Sequence, residues 1–291
     1  MRRAAPIVLI AAIVGCGPAA SSEGTAPVEV PPEPAPMDTV EPLERSWRKV
    51  VVDAGHGGED DGAEGVSGVH EKDVVLPFAR EAARALRAAG FEVVETRRDD
   101  STLTLDRRTE LANASGAGVF VSIHANSAPS AAAEGVEIYS MDLASDEAAG
   151  RLAARENRAD TVGVEGKARD VGDAIVADLA MGARAGSSRR LAETLQSEVV
   201  GTLNGFYGPK AIRDRGARTA PFWVLVDTDI PAVLVEVGYL THAREERRVR
   251  TRGYQELLAK ALVAGIEDFT ERAERAEREA AHRDTGGEAA R

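Results

Sequence analysis

The sequence predicts an α/β fold, a single domain built on a mostly parallel or mixed sheet of about six strands with helices on both faces. Three observations lead there. Apolar runs of strand length recur at 50–53, 91–96, 119–123, 136–139, 223–226 and 232–237, and helical patterns lie between several of them. Val75, Phe78, Ala82 and Leu86 mark one helix face; Leu191, Leu195, Val199 and Leu203 mark another, in a helix expected over 187–204. With 2 Trp and 4% aromatic residues, the core falls to Val, Leu, Ala and Ile, which suits parallel strands under alanine-rich helices rather than a β-sandwich. A chain of 291 residues holds one such domain plus appendages.

The appendages lie at both ends. Met1-Arg2-Arg3 is a basic start, an apolar stretch follows, and Cys16 is the sequence's 1 cysteine. The stretch is short for a bilayer span, so residues 1–16 read as an export signal resembling a bacterial lipobox, with Cys16 as the lipidated first residue of the mature chain. Residues 17–47, with Pro27, Pro31, Pro32, Pro34, Pro36 and Pro42, read as a disordered Pro/Ala-rich linker that holds the domain away from a membrane. The folded domain is expected over 48–270. Residues 271–291 alternate Glu and Arg with alanines and read as a charged tail, a solvated helix extension. The net charge of −12, with no basic stripe, argues against a nucleic-acid partner.

Within the domain, two histidines stand where apolar strands turn out of the sheet: His56 in Val50-Val51-Val52-Asp53-Ala54-Gly55-His56-Gly57-Gly58, and His124 in Val121-Ser122-Ile123-His124-Ala125-Asn126. That edge is where open α/β sheets bind ligands. Between them Glu71 opens a predicted helix. Two imidazoles and a carboxylate suit a catalytic zinc site that keeps a fourth position for water. Glu236, inside the apolar run Val233-Leu234-Val235-Glu236-Val237, is a third residue expected on the same edge. A carboxylate there is costly unless it faces a cation, either a nearby arginine or a metal-bound water. Asp53 and Asn126, close in sequence to the histidines, are candidates for orienting the imidazoles. The glycine-rich turn after Gly55 is no phosphate cradle, because neither nucleotide fingerprint is present and Glu59, Asp60 and Asp61 would repel phosphate. No G-x-S-x-G elbow occurs.

Taken in order, Val51-Val52-Asp53-Ala54-Gly55-His56-Gly57-Gly58, Glu71-Lys72-Asp73-Val74, Arg108-Thr109-Glu110-Leu111-Ala112-Asn113, Ser122-Ile123-His124-Ala125-Asn126 and Leu234-Val235-Glu236-Val237-Gly238-Tyr239-Leu240 resemble the zinc-dependent N-acetylmuramoyl-L-alanine amidases. The resemblance covers about 49–269. It implies one Zn2+ per chain held by His56, Glu71 and His124, with Glu236 as the catalytic carboxylate. The substrate it implies is peptidoglycan, cut at the amide between N-acetylmuramic acid and L-alanine, for cell-wall remodelling or daughter-cell separation. Thr241-His242 departs from the family's usual Ser-Asn and leaves that loop's hydrogen bonding open; His70 and His282 match nothing and are expected to be solvated. Two other readings remain at this point: a catalytically inactive peptidoglycan-binding envelope lipoprotein, and a zinc peptidase acting on another amide.

Residues 141–186 form a longer connection than sheet proteins usually carry and are expected to regulate the site. Ser145 is placed to cap a helix in which Ala149, Leu152, Ala153 and Glu156 share one face, so Glu156 points with the small apolar residues, where the open zinc position could supply the cation it needs; the other reading is a surface helix with Glu156 solvated or paired with Arg155 or Arg158. The arrangement resembles the cell-division members of the family, in which an inserted helix occludes the metal until an activator protein of the division machinery displaces it. The lipobox and the resemblance together imply a periplasmic protein, lipid-anchored to the outer membrane.

Overall fold

The computed structural model describes residues 45–158 and 182–288. The export signal, Cys16, nearly all of the expected linker and residues 159–181 of the insertion lie outside the described residues. In chain order the elements are β1 (Ser46–Ala54), α1 (Glu71–Ala88), β2 (Glu92–Glu95), α2 (Leu105–Asn113), β3 (Ala117–Asn126), β4 (Val136–Ser140) and α3 (Glu147–Glu156). After the undescribed segment come α4 (Gly182–Tyr207), β5 (Asp214–Thr219), α5 (Trp223–Val226), β6 (Ala232–Tyr239), α6 (Ala243–Val249) and α7 (Arg252–Glu288). The first strand starts at Ser46, just inside the stretch expected to be linker.

One 6-stranded sheet runs in the order β2-β1-β3-β6-β4-β5. Its neighbours are parallel except β4 against β6, which makes the sheet mixed. Because strand side chains alternate between faces, one face presents Val50, Val52, Val121, Ile123, Val233 and Val235 to α1, α4 and α7. The other presents Val51, Phe120, Tyr139 and Leu234 to α2, α3 and α5. Each fully buried side chain of this kind contributes roughly 1.5–3 kcal/mol of transfer free energy. The parity of that second face also gathers Asp53, Ser122, His124, Glu137 and Glu236, all buried. Among the strand residues of the site, His124 and Glu236 therefore sit on the face beneath α3, while His56 follows the end of β1 and Glu71 opens α1.

One expected strand is a helix. The run 223–226 is the short α5, because four apolar residues carry no periodicity that separates a buried strand from a single helical turn. The sixth strand is instead β5, with the sequence DRGART, which was not foreseen. An edge strand needs no apolar alternation, and charged residues there protect against unwanted pairing. The last helix runs on to Glu288 through the charged tail, and Trp47 Nε1 at the start of β1 donates to Glu277 Oε2 at 2.7 Å. Among the described residues no helix is long and apolar enough to cross a membrane.

Candidate metal centre

The first strand ends at Ala54, and the next position admits only glycine: a Cβ on Gly55 would lie 2.4 Å from Nε2 of His124, whose ring packs against it. His56 follows in the left-handed region at φ 56°, uncommon for a residue with a side chain. Two buried arginines fasten the strained turn. Arg108 Nη2 donates to the His56 carbonyl at 2.7 Å and Arg97 Nη2 to the Gly55 carbonyl at 2.6 Å. Across the loop Gly62, at φ 67°, leaves room for the His56 ring, since a Cβ there would sit 2.7 Å from its Cδ2.

Three elements then aim donors at one point. His56 Nδ1 lies 2.8 Å from Asp60 Oδ2, which turns Nε2 inward. Glu71, the first residue of α1, is wholly buried, and its two carboxylate oxygens accept the Ala63 and Ala125 N–H groups at 3.0 and 2.9 Å. His124 points Nδ1 inward from β3. His56 Nε2 is 3.1 Å from Glu71 Oε2 and 3.1 Å from Glu156 Oε2, while His124 Nδ1 is 3.1 Å from Glu71 Oε1 and 3.3 Å from Glu156 Oε2. All four donors lie within 4.8 Å of one another.

These spacings fit a metal. Bonds of about 2.0–2.1 Å in a tetrahedron separate the corners by about 3.3 Å, and His56 Nε2 and Glu156 Oε2 are buried without a hydrogen-bond partner among the described residues. The electrostatics agree. Burial opposes charge on His56, but the Glu71 and Glu156 carboxylates outweigh it and hold its pKa well above 6.5. His124 rises to about 9 against burial, through the adjacent Glu156 and Glu71 carboxylates. Both carboxylates are buried too, yet the facing imidazoles keep them below the ordinary range. Two imidazoles facing two buried carboxylates are a donor set whose charge one divalent cation would balance.

Glu236 stands beside this cluster, in register with His124 on the neighbouring strand. It is completely buried, and neither carboxylate oxygen has a hydrogen-bond partner among the described residues. Burial, reinforced by the Glu71 charge, pushes its pKa well above 4.5.

The helix α3 closes the centre from above. Ala149, Leu152, Ala153 and Glu156 are its buried residues, on one face as the spacing predicts. Its cap is Asp146, which accepts the Ala149 N–H at 2.9 Å, and not Ser145, because the helix starts one residue later than expected. Arg155 fixes the last turn, donating to Glu156 Oε1 at 2.8 Å and to the Ser127 carbonyl at 3.2 Å. With the helix seated, the cavity lined by His56, His124 and Glu156 measures only about 10 Å³.

Neither residue expected to orient an imidazole does so. Asp53 accepts from Arg108, Thr96 and Ser122, each at 2.6 Å, and Asn126 donates to Glu137 at 2.9 Å. Asp60 takes that role for His56. Its position four residues after a ligand histidine was the available signal, since such rings commonly hold a carboxylate on the second nitrogen. Glu137 also went unnoticed, although a carboxylate within an apolar strand was the same sign that drew attention to Glu236. His70 is no part of the cluster, lying half-exposed 4.0 Å from Asp61. In the departing loop, Thr241 Oγ1 accepts the Ala128 N–H at 3.0 Å and His242 caps α6, so its hydrogen bonds are made.

A mixed α/β sheet on which two buried histidines and two buried glutamates converge has the donor set of a metal-dependent hydrolase. The chain belongs to the N-acetylmuramoyl-L-alanine amidase family, whose sequence profile matches residues 50–268. It is 34% identical to AmiA of Salmonella typhimurium over 223 residues, 76% of this chain and 75% of that protein. It is 33% identical to AmiC of Neisseria meningitidis over 223 residues, 76% of this chain and 52% of that longer protein. Among solved structures, the N-acetylmuramoyl-L-alanine amidase of Clostridium difficile 630 aligns with a TM-score of 0.58 at 30% identity, covering 77% of this chain and 96% of that one.

Proposed function

We propose that this protein hydrolyses the amide between the lactyl group of N-acetylmuramic acid and the L-alanine of the stem peptide in peptidoglycan. The observation that carries the reading is the convergence of His56, Glu71, His124 and Glu156 within 4.8 Å, in a chain of this family. His56, Glu71 and His124 would hold one zinc ion. Zinc in such a site lowers the pKa of a coordinated water toward ~7 and polarises the scissile carbonyl. Glu236 would take the water's proton and return it to the leaving amine of L-alanine. Its burial suits that task, since a carboxyl with a raised pKa retains a proton long enough to donate it.

Glu156 would fill the position that the water and the substrate carbonyl need. The third helix is then a plug, and residues 141–186 a regulatory insertion on a catalytic domain of residues 48–270. A cavity of about 10 Å³ admits no sugar or peptide. Activation would require a partner of the division machinery to withdraw the helix. Cys16 would carry acyl chains and residues 17–47 would tether the domain to the outer membrane in the periplasm; mass spectrometry of the mature chain tests this, and an unmodified Cys16 would count against it. The enzymatic reading is tested by digesting purified peptidoglycan with zinc-loaded Glu156→Ala protein. Stem peptides with a free N-terminal alanine are expected, and cleavage inside the stem would point to a peptidase.

A further inference from the structure

A second charged cluster lies on the same sheet face, beyond Glu236 from the metal centre. Glu236 is the register partner of His124 on one side and of Glu137 on the other. The three side chains form a row with the strand spacing of about 4.8 Å. Glu137 is buried and saturated: it accepts from Asn126 Nδ2 at 2.9 Å, Tyr139 OH at 2.8 Å, Arg215 Nε at 3.1 Å, Arg218 Nη1 at 2.9 Å, and also from Tyr239 OH. With its lone pairs occupied, it serves as an anchor.

What it anchors is a guanidinium. Arg215, tied through Nε, lies over the Tyr239 ring at 5.2 Å from the centroid, and its Nη1 and Nη2 make no hydrogen bond among the described residues. Arg215 lines a cavity of about 270 Å³ together with Arg218, Arg151, Arg155 and Arg158, and among its described lining residues Glu137 is the only acidic one. An arginine fixed in this way presents a planar fork of donors that matches a carboxylate.

The inserted helix already places a carboxylate there. Asp146, its cap, bonds Arg218 Nη2. The ten-residue helix and its cap therefore place Glu156 at the metal centre and Asp146 against the edge strand. Its length of about 15 Å matches the span of roughly 14 Å from β3 across three strand spacings to β5.

We propose that Arg215 and Arg218 form a subsite for a free carboxylate of the stem peptide, and that Asp146 occupies it while the helix is seated. The assignment rests on the amidase reading above. In peptidoglycan the carboxyl of muramic acid is consumed in the scissile amide, so the amino sugars are neutral and the negative charge belongs to the peptide. At 3.3–3.6 Å per extended residue, roughly 14 Å is the length of about four residues, so the carboxylates of the stem lie within that span. Two sources share this chemistry there: the carboxylate of an acidic second residue and the terminal carboxylate.

The test uses the full chain carrying Glu156→Ala, with and without Arg215→Ala or Arg215→Lys. Zinc content and circular dichroism establish that each variant is folded. Calorimetry measures binding of a free stem tripeptide in three forms: both carboxylates intact, the second residue's carboxylate replaced by carboxamide, or the terminal one so replaced. One replacement is expected to weaken binding about tenfold or more, which identifies the source. Arg215→Ala should lose the same factor and no longer distinguish the three probes, while Arg215→Lys recovers part. On the corresponding muramyl peptides KM should rise with kcat nearly constant. Equal binding of all three probes, or discrimination that survives Arg215→Ala, overturns the subsite. If discrimination is seen but no muramyl peptide is cleaved, the amidase reading fails and the subsite stands; cleavage without discrimination gives the reverse.

Discussion

Glu156 Oε2 lies 3.1 Å from His56 Nε2, and both atoms are buried without a hydrogen-bond partner among the described residues. Two polar atoms so placed cost free energy unless something lies between them. A divalent cation answers both. Purified protein is therefore expected to contain one zinc per chain by elemental analysis, and His56→Ala, Glu71→Ala and His124→Ala to lose most of it. Full metal content in all three variants would contradict the assignment.

Glu236 should separate from the ligands on substitution. Glu236→Gln is expected to keep its zinc and to lose roughly 10²–10⁴-fold in kcat, the usual contribution of a positioned acid–base group. It removes proton transfer and leaves ligation intact. Metal content and peptidoglycan turnover measured on one preparation decide the matter, and normal turnover would remove the role.

Asp60 should tune the metal without touching it. It bonds His56 Nδ1 at 2.8 Å and fixes the tautomer that offers Nε2. Losing such a partner typically costs 10–100-fold in metal affinity. Competition with a chelator should place Asp60→Ala about that far below wild type, and unchanged affinity would mean that the ring is held by packing alone.

The buried pair of Asp53 and Arg108 makes a prediction about acid. Burial raises the Asp53 pKa, but the Arg108 charge and the Ser122 and Thr96 bonds overcome it, so the folded value lies below 3.8. The pair's stabilisation is complete above the unfolded value near 4 and is lost as pH falls through the lower folded value. Asp53→Asn should cost about 3–5 kcal/mol at pH 7, because it leaves a buried guanidinium uncompensated. It should also flatten the loss of stability below about pH 4. Urea unfolding between pH 3 and 7 checks both, and parallel profiles for the two proteins would show that Asp53 is not the group responsible.

Much of this was legible in the sequence because strand periodicity reports parity. His124 and Glu236 share a face with Phe120 and Leu234, and the helix spacing of Ala149, Leu152, Ala153 and Glu156 correctly set one carboxylate among apolar neighbours. Tertiary partners were harder to read. Asp60 and Arg97 act through loop geometry that no periodicity encodes, and Asp53, adjacent to the right strand end, spends its hydrogen bonds on Arg108 and two hydroxyls. The edge strand β5 escaped because its residues answer to Glu137 and solvent rather than to a core.

The comparison of wild type with Glu156→Ala tests the central claim most directly: a zinc amidase closed by its own helix. Initial rates of release of stem peptides with N-terminal alanine should be measured on purified peptidoglycan, with zinc content and circular dichroism matched between the two proteins. Removing Glu156 leaves His56, Glu71 and His124 to hold the metal, so at least a tenfold rise in rate is expected without loss of zinc. Equal rates from two zinc-loaded, folded proteins would contradict the closed state, and absence of that product from both would contradict the amidase itself.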